Sequence, residues 1–415
     1  MTIFTKRKIK DFIIYGFGQL INIVSPLFVM PFILFKCGEV GLGKVGVGFS
    51  CALILSGIID YGSYIKGVKD ISINRKNLIV LEKKFKSIYL SKLILLVGVF
   101  CFFSLCVLFV PFFSRDKSLY FFSSLIVLGQ FINPQWFFQG IENFKWISIV
   151  NTVSKSIYIL LILLFIEKKT DYVYANLFFG IGAIIGNSIG ILWILRKYSF
   201  DFKKFDFNDA IFILKDEFSF SISQIFLSIY QFFPIILISY FGGDFMAGQF
   251  RVIDQIISLF KTYLNMFFYF VYSNICFELS KSKETGIKVW KQYNGLNFII
   301  IFLTLLFFFA FSQDIMLLMN INKDKIFALS SIFKVALFVP FLISISQPLR
   351  QLMFAFSENK IYIQITIITT SLNVVFLSIF TKYYELFGAF LSIIFVELAV
   401  IILYISILKK HFLNH

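Results

Sequence analysis

The chain contains 415 residues, of which 59% are hydrophobic and 15% are charged, and its formal net charge is +16. This composition excludes a soluble globular domain, because too few polar residues remain to cover the surface of so long a chain. In a soluble protein the excess of Lys and Arg would suggest nucleic-acid binding. Here these residues cluster between apolar stretches, which favours contact with anionic lipid headgroups and no nucleic-acid partner.

The residues that most often bind metals are poorly placed for that purpose. His411 and His415 both lie in the C-terminal tail, and the five cysteines lie in or beside apolar stretches without the spacing of metal ligands. We therefore expect small buried cysteines, with neither a metal site nor a cofactor.

Twelve apolar stretches follow one another after a short basic N-terminal segment. A helix of about 20 residues spans the ~30 Å hydrocarbon core of a bilayer. The first stretch is too long for the core of a signal peptide, so we expect it to be retained. We predict an all-α membrane protein with twelve transmembrane helices, at 12–35, 45–65, 93–113, 119–139, 148–166, 173–195, 217–241, 252–276, 295–313, 328–350, 361–381 and 387–408.

The distribution of positive charge predicts the orientation of these helices. The two ends and the even-numbered loops hold 26 Lys and Arg residues when Arg350, at the end of its span, is counted with the loop that follows. The odd-numbered loops hold 10. Because positive loops stay in the cytoplasm, we expect both termini on the cytoplasmic side of the membrane.

The two halves of the chain share a short pattern at their first outward turn. Gly38 lies a few residues after Pro31 and directly precedes Glu39. In the second half, Gly243 lies a few residues after Pro234 and directly precedes Asp244. In both halves another glycine follows five residues later. We predict two pseudo-symmetric six-helix lobes, 1–205 and 206–415, with a binding site between them.

Polar residues recur at helical spacing in the first helix of each half. Gln19 and Asn22 share one face of the first helix, and Gln224 and Ser228 share one face of the seventh. Lipid disfavours such faces, so they are expected to line a cavity. The alternative is hydrogen bonding between packed helices.

Cationic side chains at membrane depth form the most specific pattern. Asp254, Ser258, Lys261 and Asn265 are spaced 4, 3 and 4 residues apart in the eighth helix, and Arg251 lies one turn earlier. The other candidates are Lys155 with Asn151 in the fifth helix, and Lys334 and Arg350 in the tenth. Burying a cation in a membrane is costly, so these residues predict a cationic cavity for an anionic substrate. The alternative is pairing with the acids Asp60, Asp254 and Glu397.

The same three acids are candidates for coupling transport to a cation gradient. Glu397 has no polar neighbour at helical spacing, so it either pairs with a Lys from another helix or binds a coupling cation. Asp60 lies near the cytoplasmic end of the second helix, which favours an interfacial role.

Three stretches resemble the Wzx-type polysaccharide flippases of the multidrug/oligosaccharidyl-lipid/polysaccharide exporter superfamily. They are the first helix and turn from Gln19 to Gly43, the segment from Asp60 to Arg75, and the motif Pro134-Gln-Trp-Phe-Phe-Gln-Gly140 with Glu142. The resemblance implies a MATE-like fold in a bacterial inner membrane and transport of an undecaprenyl-pyrophosphate-linked oligosaccharide for O-antigen or capsule assembly. It also implies membrane lipids, a polysaccharide polymerase and a chain-length regulator as partners.

We therefore expect a flippase and not an enzyme. One alternative is a multidrug or small-solute exporter of the same fold, for which an aromatic or acidic pocket is more typical than lysines in the middle of a span. A membrane glycan polymerase or ligase is the second alternative, and it predicts a large outward loop that this chain lacks. A third, a lipid II flippase, differs chiefly in its substrate and often carries two more helices.

Overall fold

The computed structural model describes residues 6–201 and 206–413. Within these two ranges all regular structure is helical. The helices are α1 (Lys6–Asp60), α2 (Val68–Asn74), α3 (Leu78–Phe109), α4 (Pro111–Ser114), α5 (Lys117–Ile132), α6 (Gln135–Gly140), α7 (Phe144–Phe165), α8 (Ala175–Tyr198), α9 (Phe207–Asp216), α10 (Phe218–Lys281), α11 (Lys283–Ala310), α12 (Ser312–Leu318), α13 (Lys323–Ala336), α14 (Phe338–Ala355) and α15 (Asn359–Leu413). A π-helical turn covers Ser63–Gly67, and a 3-10 helix covers Lys169–Tyr174.

Eight helical segments within the described ranges are long and apolar enough to cross a bilayer. Side chains from these segments remain exposed at the protein surface even where they are large and apolar, as at Phe35, Phe109 and Ile402. Such a surface is stable in hydrocarbon and unstable in water. The prediction of an all-α membrane protein is therefore confirmed.

Three of the longest helices are each divided by a residue with non-helical backbone angles. These residues are Gly38 in α1, Gly243 in α10 and Glu385 in α15. The two parts of each divided helix are counted separately, and α5 is added to the eight long apolar segments. The helices counted in this way follow the twelve predicted stretches in order along the chain. The number of membrane crossings itself stays a prediction.

Gly38 and Gly243 adopt nearly the same backbone conformation. Gly38 has φ 75° and ψ 178°, and Gly243 has φ 80° and ψ 169°. This region of backbone space is essentially restricted to glycine, because a Cβ would meet the flanking peptide groups. The Gly-acid pattern shared by the two halves therefore marks two chemically equivalent breaks, each of which lets one helix end and the next begin.

The described chain forms two compact units, Met1–Ile236 and Leu237–His415. Their boundary lies within α10, after the predicted lobe boundary at 205. The first unit therefore includes α9 and the start of α10, and Tyr61 donates a hydrogen bond to the carbonyl of Leu214 in α9 at 2.7 Å. The two six-helix lobes stay a prediction.

The first unit has an aromatic core around α6. Trp136, Phe137 and Phe138 are fully buried, and Phe85 of α3 lies 5.3 Å from Phe137, measured between ring centroids in an edge-to-face arrangement. Such pairs add to the stability gained by burial. The motif at residues 134–140 therefore packs the ends of α3, α7 and α8 together.

The amphipathic helix α9 lies against α3 through its polar and small residues. Asp206 caps its first turn by accepting a hydrogen bond from the Asn208 amide at 2.9 Å. Ala210 is fully buried, and its carbonyl accepts a hydrogen bond from Ser91 of α3 at 3.1 Å. The opposite face leaves Phe212 exposed, as expected of a helix lying along a membrane surface.

The second unit has its own core, formed by α14 and α15. Leu352 and Met353 of α14 are buried against Ile365 and Tyr404 of α15. Trp290 of α11 closes this core by donating a hydrogen bond from its indole to the Pro348 carbonyl at 3.1 Å. The side chains of α14 that point away from this core carry the polar cluster described below.

Candidate functional site

Lys155 lies on α7, whose close contact with α8 depends on glycine. Cβ atoms built at Gly182 and Gly186 would collide with Ser154 of α7. Small residues of this kind let the backbones of membrane helices approach each other closely. The approach brings the Lys155 ammonium over the ring of Phe179 on α8, with 3.8 Å between Nζ and the ring centroid.

The surroundings of Lys155 are aromatic. The Phe179 ring has edge contacts with Phe49 at 5.0 Å and with Tyr158 at 5.1 Å, measured between ring centroids. In the described part of the chain no carboxylate forms an ion pair with Lys155. Aromatic faces stabilise a cation by roughly 0.5–2 kcal/mol without neutralising it. An ammonium at Lys155 is therefore not neutralised by a described carboxylate, and an external anion could pair with it.

Asn151 lies one turn before Lys155 on the same face of α7. It is buried, and its Oδ1 accepts a hydrogen bond from Gln135 Nε2 at 2.5 Å. Its Nδ2 is also buried and has no hydrogen-bond partner among the described residues. Unsatisfied buried donors are rare and costly. A cation and a spare donor thus lie one helical turn apart.

Asp60 takes part in a buried polar network that the sequence did not indicate. Lys92 of α3, which is 1% exposed, forms an ion pair with Asp60 at 3.0 Å. Gln130 of α5 donates a hydrogen bond to the second Asp60 oxygen at 2.7 Å. The predicted spans place Lys92 in a loop, because Lys92 stands at the edge of an apolar run. The network joins three helices, and the interfacial role expected for Asp60 stays a prediction.

In the second unit, Asp254 lies between two cations, Arg251 and Lys261, of the set predicted to share one face of the eighth helix. Its carboxylate is 3.3 Å from Lys261 Nζ and 3.7 Å from the Arg251 guanidinium. Contact between residues seven positions apart agrees with the shared helical face that the spacing predicts. Asp254 offsets part of the positive charge of Arg251 and Lys261, so this helix face is less cationic than its Lys and Arg content suggests.

Arg350 and Asn265 meet in a second cluster of this unit. Asn265 Oδ1 accepts hydrogen bonds from Gln347 Nε2 at 2.9 Å and from Arg350 at 3.3 Å. The guanidinium also lies 4.7 Å from the centroid of the Phe268 ring. Its Nε is buried and lacks a hydrogen-bond partner in the described ranges. The cluster therefore offers an anion a planar donor group that is already oriented by stacking.

Glu397 is buried and accepts a short hydrogen bond from Ser346 of α14. The partner comes from a helix 51 residues away in sequence, which is why helical spacing around Glu397 did not predict it. This contact orients the carboxylate, and both alternatives for Glu397 stay open.

The remaining predicted residues have less distinctive surroundings. Lys334 lies 5.1 Å from the Phe309 ring centroid. Ser228 donates to the Gln224 carbonyl at 3.0 Å, and the Ser258 carbonyl accepts from Thr262 at 2.7 Å. Asn22 is half-buried. The side chain of Gln19 lies outside the residues that the structure describes.

Two curated bacterial proteins are similar to this chain along much of its length. One, from Shigella dysenteriae, is 23% identical over 395 residues, covering 94% of this chain and 96% of its own. The other, from Escherichia coli K12, is 21% identical over 271 residues, covering 65% of each chain. Both are provisionally named O-antigen transporters.

The fold is that of known multidrug and lipid transporters. The lipid II flippase MurJ, in an inward closed conformation, superposes with a TM-score of 0.74 at 13% identity, covering 96% of this chain and 87% of MurJ. An inward-facing multidrug transporter of the MATE family superposes with a TM-score of 0.69 at 17% identity, covering 96% and 95%. These similarities confirm the MATE-like fold.

Family membership follows from the sequence itself. The sequence model of the family described as polysaccharide biosynthesis protein matches residues 9–272, which is more than half of the chain and includes Asp60, Lys155 and Lys261. The chain therefore belongs to the polysaccharide biosynthesis protein family.

Proposed function

We propose that the protein is a flippase that moves lipid-linked oligosaccharides across the bacterial inner membrane for O-antigen or capsule assembly. Family membership and the names of the two curated relatives support a glycan-bearing substrate over the multidrug alternative. The shared fold with a lipid II flippase is compatible with a substrate that has a lipid tail. An undecaprenyl-pyrophosphate carrier would supply the anionic group that the cationic residues require.

The observation that carries the proposal is the Lys155 ammonium, which has an aromatic contact and no described carboxylate partner. A pyrophosphate cannot cross hydrocarbon alone, because an unpaired ion in a low-dielectric medium costs many kcal/mol. A cation held at membrane depth offsets that cost only if its charge is not already neutralised. Lys155 meets this condition, and the spare donor of Asn151 would add a hydrogen bond.

The Arg350 cluster and Lys261 are proposed as further contacts for the anionic head group. Lys261 shares Asp254 with Arg251, so its contribution is expected to be smaller than that of Lys155. Lys334 is a weaker candidate, since its ammonium stands farther from its aromatic partner.

Energy for transport is proposed to come from the membrane potential and from cation coupling. An inside-negative potential favours outward movement of negative charge by about 2.3 kcal/mol per charge per 100 mV. Asp60, Asp254 and Glu397 remain the candidate coupling carboxylates. Membrane lipids surround the protein, and a polysaccharide polymerase with its chain-length regulator would receive the translocated units.

The test is translocation of a short undecaprenyl-pyrophosphate-linked oligosaccharide in vesicles that contain the purified protein. We expect the wild type to translocate and Lys155→Ala to lose at least about 90% of the rate, equivalent to about 1.4 kcal/mol. Lys145→Ala is the matched control, because Lys145 lies on the same helix and is exposed. A wild type without translocation would overturn the proposed function, and an unimpaired Lys155→Ala variant would remove Lys155 from it.

A further inference from the structure

A chain of hydrogen-bonded side chains runs through the first unit, and it begins at the buried ion pair. Asp60 of α1 is paired with Lys92 at 3.0 Å and accepts a hydrogen bond from Gln130 Nε2 at 2.7 Å. An ionised carboxylate accepts hydrogen bonds and donates none. Gln130 must therefore present its amide nitrogen to Asp60, which leaves its carbonyl oxygen for the next member of the chain.

The chain continues through the turn between α5 and α6. Gln130 Oε1 accepts a hydrogen bond from Asn133 Nδ2 at 3.2 Å, and Asn133 Oδ1 accepts one from the backbone N–H of Gln135 at 3.0 Å. Because Pro134 has no N–H, the N–H of Gln135 is the first backbone donor after Asn133. Asn133 is buried and therefore fixes the position at which α6 begins.

Gln135 connects this turn to α7. Its backbone is held by Asn133, and its side-chain Nε2 donates to Asn151 Oδ1 at 2.5 Å. A primary amide has one end that accepts and one end that donates. Since the accepting end of Asn151 is engaged, the donating end is left over, and it is buried without a hydrogen-bond partner among the described residues. Gln135 thus determines that Asn151 offers a donor.

The orientation of the Asn151 amide matters because Lys155 lies one turn later on the same face of α7. An ammonium and an amide NH₂ both donate hydrogen bonds, and neither accepts them. Two neighbouring donors complement the oxygens of a phosphate group. If the Asn151 amide were reversed, an oxygen would stand beside Lys155 and would repel the anion.

We propose that Gln135 is a positioning residue for the anionic head group of the substrate. It acts by orienting Asn151 and does not itself touch the substrate. The proposal rests on the proposed function, in which Asn151 and Lys155 contact the pyrophosphate. It gives the motif at residues 134–140 a second role: the aromatic residues hold α6 in the core of the first unit, and the first glutamine orients an amide on α7.

The test uses the purified full-length protein in vesicles and measures how the translocation rate depends on the mole fraction of the undecaprenyl-pyrophosphate-linked oligosaccharide. Gln135→Glu keeps the shape of the side chain but presents only acceptor atoms to Asn151. The Asn151 amide must then turn its nitrogen toward α6, and the donor beside Lys155 is lost. Gln139→Glu is the matched control, because it makes the same change one turn later on α6, at a side chain that is also half-buried.

We expect Gln135→Glu to raise the KM for the oligosaccharide about tenfold, which corresponds to the loss of one hydrogen bond to a charged group. The maximal rate and the melting temperature should stay close to those of the wild type, whereas a folding defect would lower the rate and leave KM unchanged. Gln139→Glu should have the KM of the wild type. An unchanged KM in Gln135→Glu, or an equal rise in both variants, would overturn the proposal.

A second comparison separates positioning through Asn151 from a direct effect of the added negative charge. Asn151→Leu removes the amide, so Gln135→Glu should add nothing further to the KM of that variant. If Gln135→Glu raises KM to the same extent in this background, Gln135 acts without Asn151 and the proposal is wrong. Where Gln135→Glu does not fold, Gln135→Met gives the same comparison without a charge. It frees the Asn151 amide to adopt both orientations, so it should raise KM about twofold when Asn151 is present and have no effect when it is absent.

Failure of this proposal and failure of the proposed function give different results. If wild-type vesicles translocate the oligosaccharide and Gln135→Glu has the KM of the wild type, Gln135 is a packing residue and the function stands. If wild-type vesicles do not translocate, the proposed function is wrong and the role of Gln135 falls with it.

Discussion

Lys155 and Lys92 both lie in apolar helices of the first unit, and they differ in what offsets their charge. Lys155 lies over the Phe179 ring and forms no ion pair with a described carboxylate, whereas Lys92 is buried against Asp60. A buried ion pair contributes little net stability, but removing one partner leaves an uncompensated charge. Lys92 is therefore expected to serve structure, while Lys155 stays available to pair with an anionic ligand.

Breaking the Lys92–Asp60 pair should destabilise the protein. Lys92→Met leaves the Asp60 carboxylate buried with Gln130 as its remaining partner, at an expected cost of about 3–5 kcal/mol. The double variant Lys92→Met/Asp60→Leu removes both charges and should recover most of that loss. Thermal unfolding of both variants in detergent measures the difference. Equal melting temperatures for the single variant and the wild type would contradict this assignment.

Glu217, the first residue of the predicted span 217–241, precedes the apolar segment of the structure and has an environment that shifts its protonation. It lies between α9 and a candidate span that begins at Gln224. Burial is the main cause that raises the pKa of Glu217 to about 7, and the negative charge of Asp70 contributes to the same shift. The positive charge of Lys66 opposes this effect. The group is therefore half protonated near neutral pH.

Stability is expected to depend on the protonation of Glu217. Between its ordinary pKa of 4.5 and the raised value of about 7, the folded state binds more protons than the unfolded state. The free energy of unfolding therefore falls as pH rises through this window and levels off above it. Glu217→Gln should reduce the fall in melting temperature between pH 5 and pH 8.

The control for this pH effect is Glu284→Gln, because Glu284 is an exposed acid at the start of α11. It should leave the pH profile of the wild type unchanged. If Glu217→Gln and the wild type show parallel profiles, Glu217 is not the group that titrates.

Helical spacing predicted the contacts within one helix and missed those between helices. The Asp254–Lys261 contact follows from positions seven residues apart on α10. The contact between Ser346 and Glu397 joins two helices 51 residues apart in sequence. A periodic pattern specifies which face a residue occupies, but the identity of the facing helix depends on tertiary packing.

At the scale of whole elements, the two glycine breaks are the most specific features. In the described part of the chain no atom lies within 4 Å of a Cβ built at Gly38 or Gly243. The requirement for glycine is therefore conformational, and no neighbouring group imposes it. Each break separates two apolar segments that would otherwise form one helix too long for a bilayer.

Replacing Gly38 or Gly243 by Ala should destabilise the protein by about 1–3 kcal/mol, because Ala must adopt a backbone conformation that favours glycine. Gly98→Ala and Gly295→Ala are matched controls. They also add a Cβ into open space, but they lie in the regular helices α3 and α11 and should be neutral or slightly stabilising. Melting temperatures in detergent compare the four variants, and equal effects in both pairs would exclude a conformational requirement at the breaks.

Sequence alone could predict the helices and the two breaks that occur at glycine. Apolar length identified the stretches, and the Gly-acid pattern indicated where α1 and α10 turn. The spans 361–381 and 387–408 predicted a break between them, but not that Glu385 would carry it, because a non-glycine residue with φ 51° gives no signal in composition. The position of α9 was not indicated by the sequence, since it depends on packing against Tyr61 and Ser91.

At the scale of the whole molecule, the asymmetric positive charge has a consequence for topology. Of the 39 Lys and Arg residues, most lie at the two ends and in the even-numbered loops of the predicted arrangement. Transferring such loops across the membrane against an inside-negative potential is unfavourable. Both termini and the loop between α10 and α11 should therefore face the cytoplasm, and the loop before α13 should face outward.

Single cysteines introduced into a cysteine-free variant test this orientation. Asp324→Cys should react with a membrane-impermeant maleimide in cells whose outer membrane has been permeabilised. Glu284→Cys and Lys410→Cys should react only after the inner membrane is disrupted, because an even number of crossings separates them. Labelling of Lys410→Cys but not Asp324→Cys in intact inner membranes would reverse the orientation. Labelling of Glu284→Cys and Lys410→Cys from opposite sides would require an odd number of crossings between them, and the arrangement of twelve helices would then be wrong.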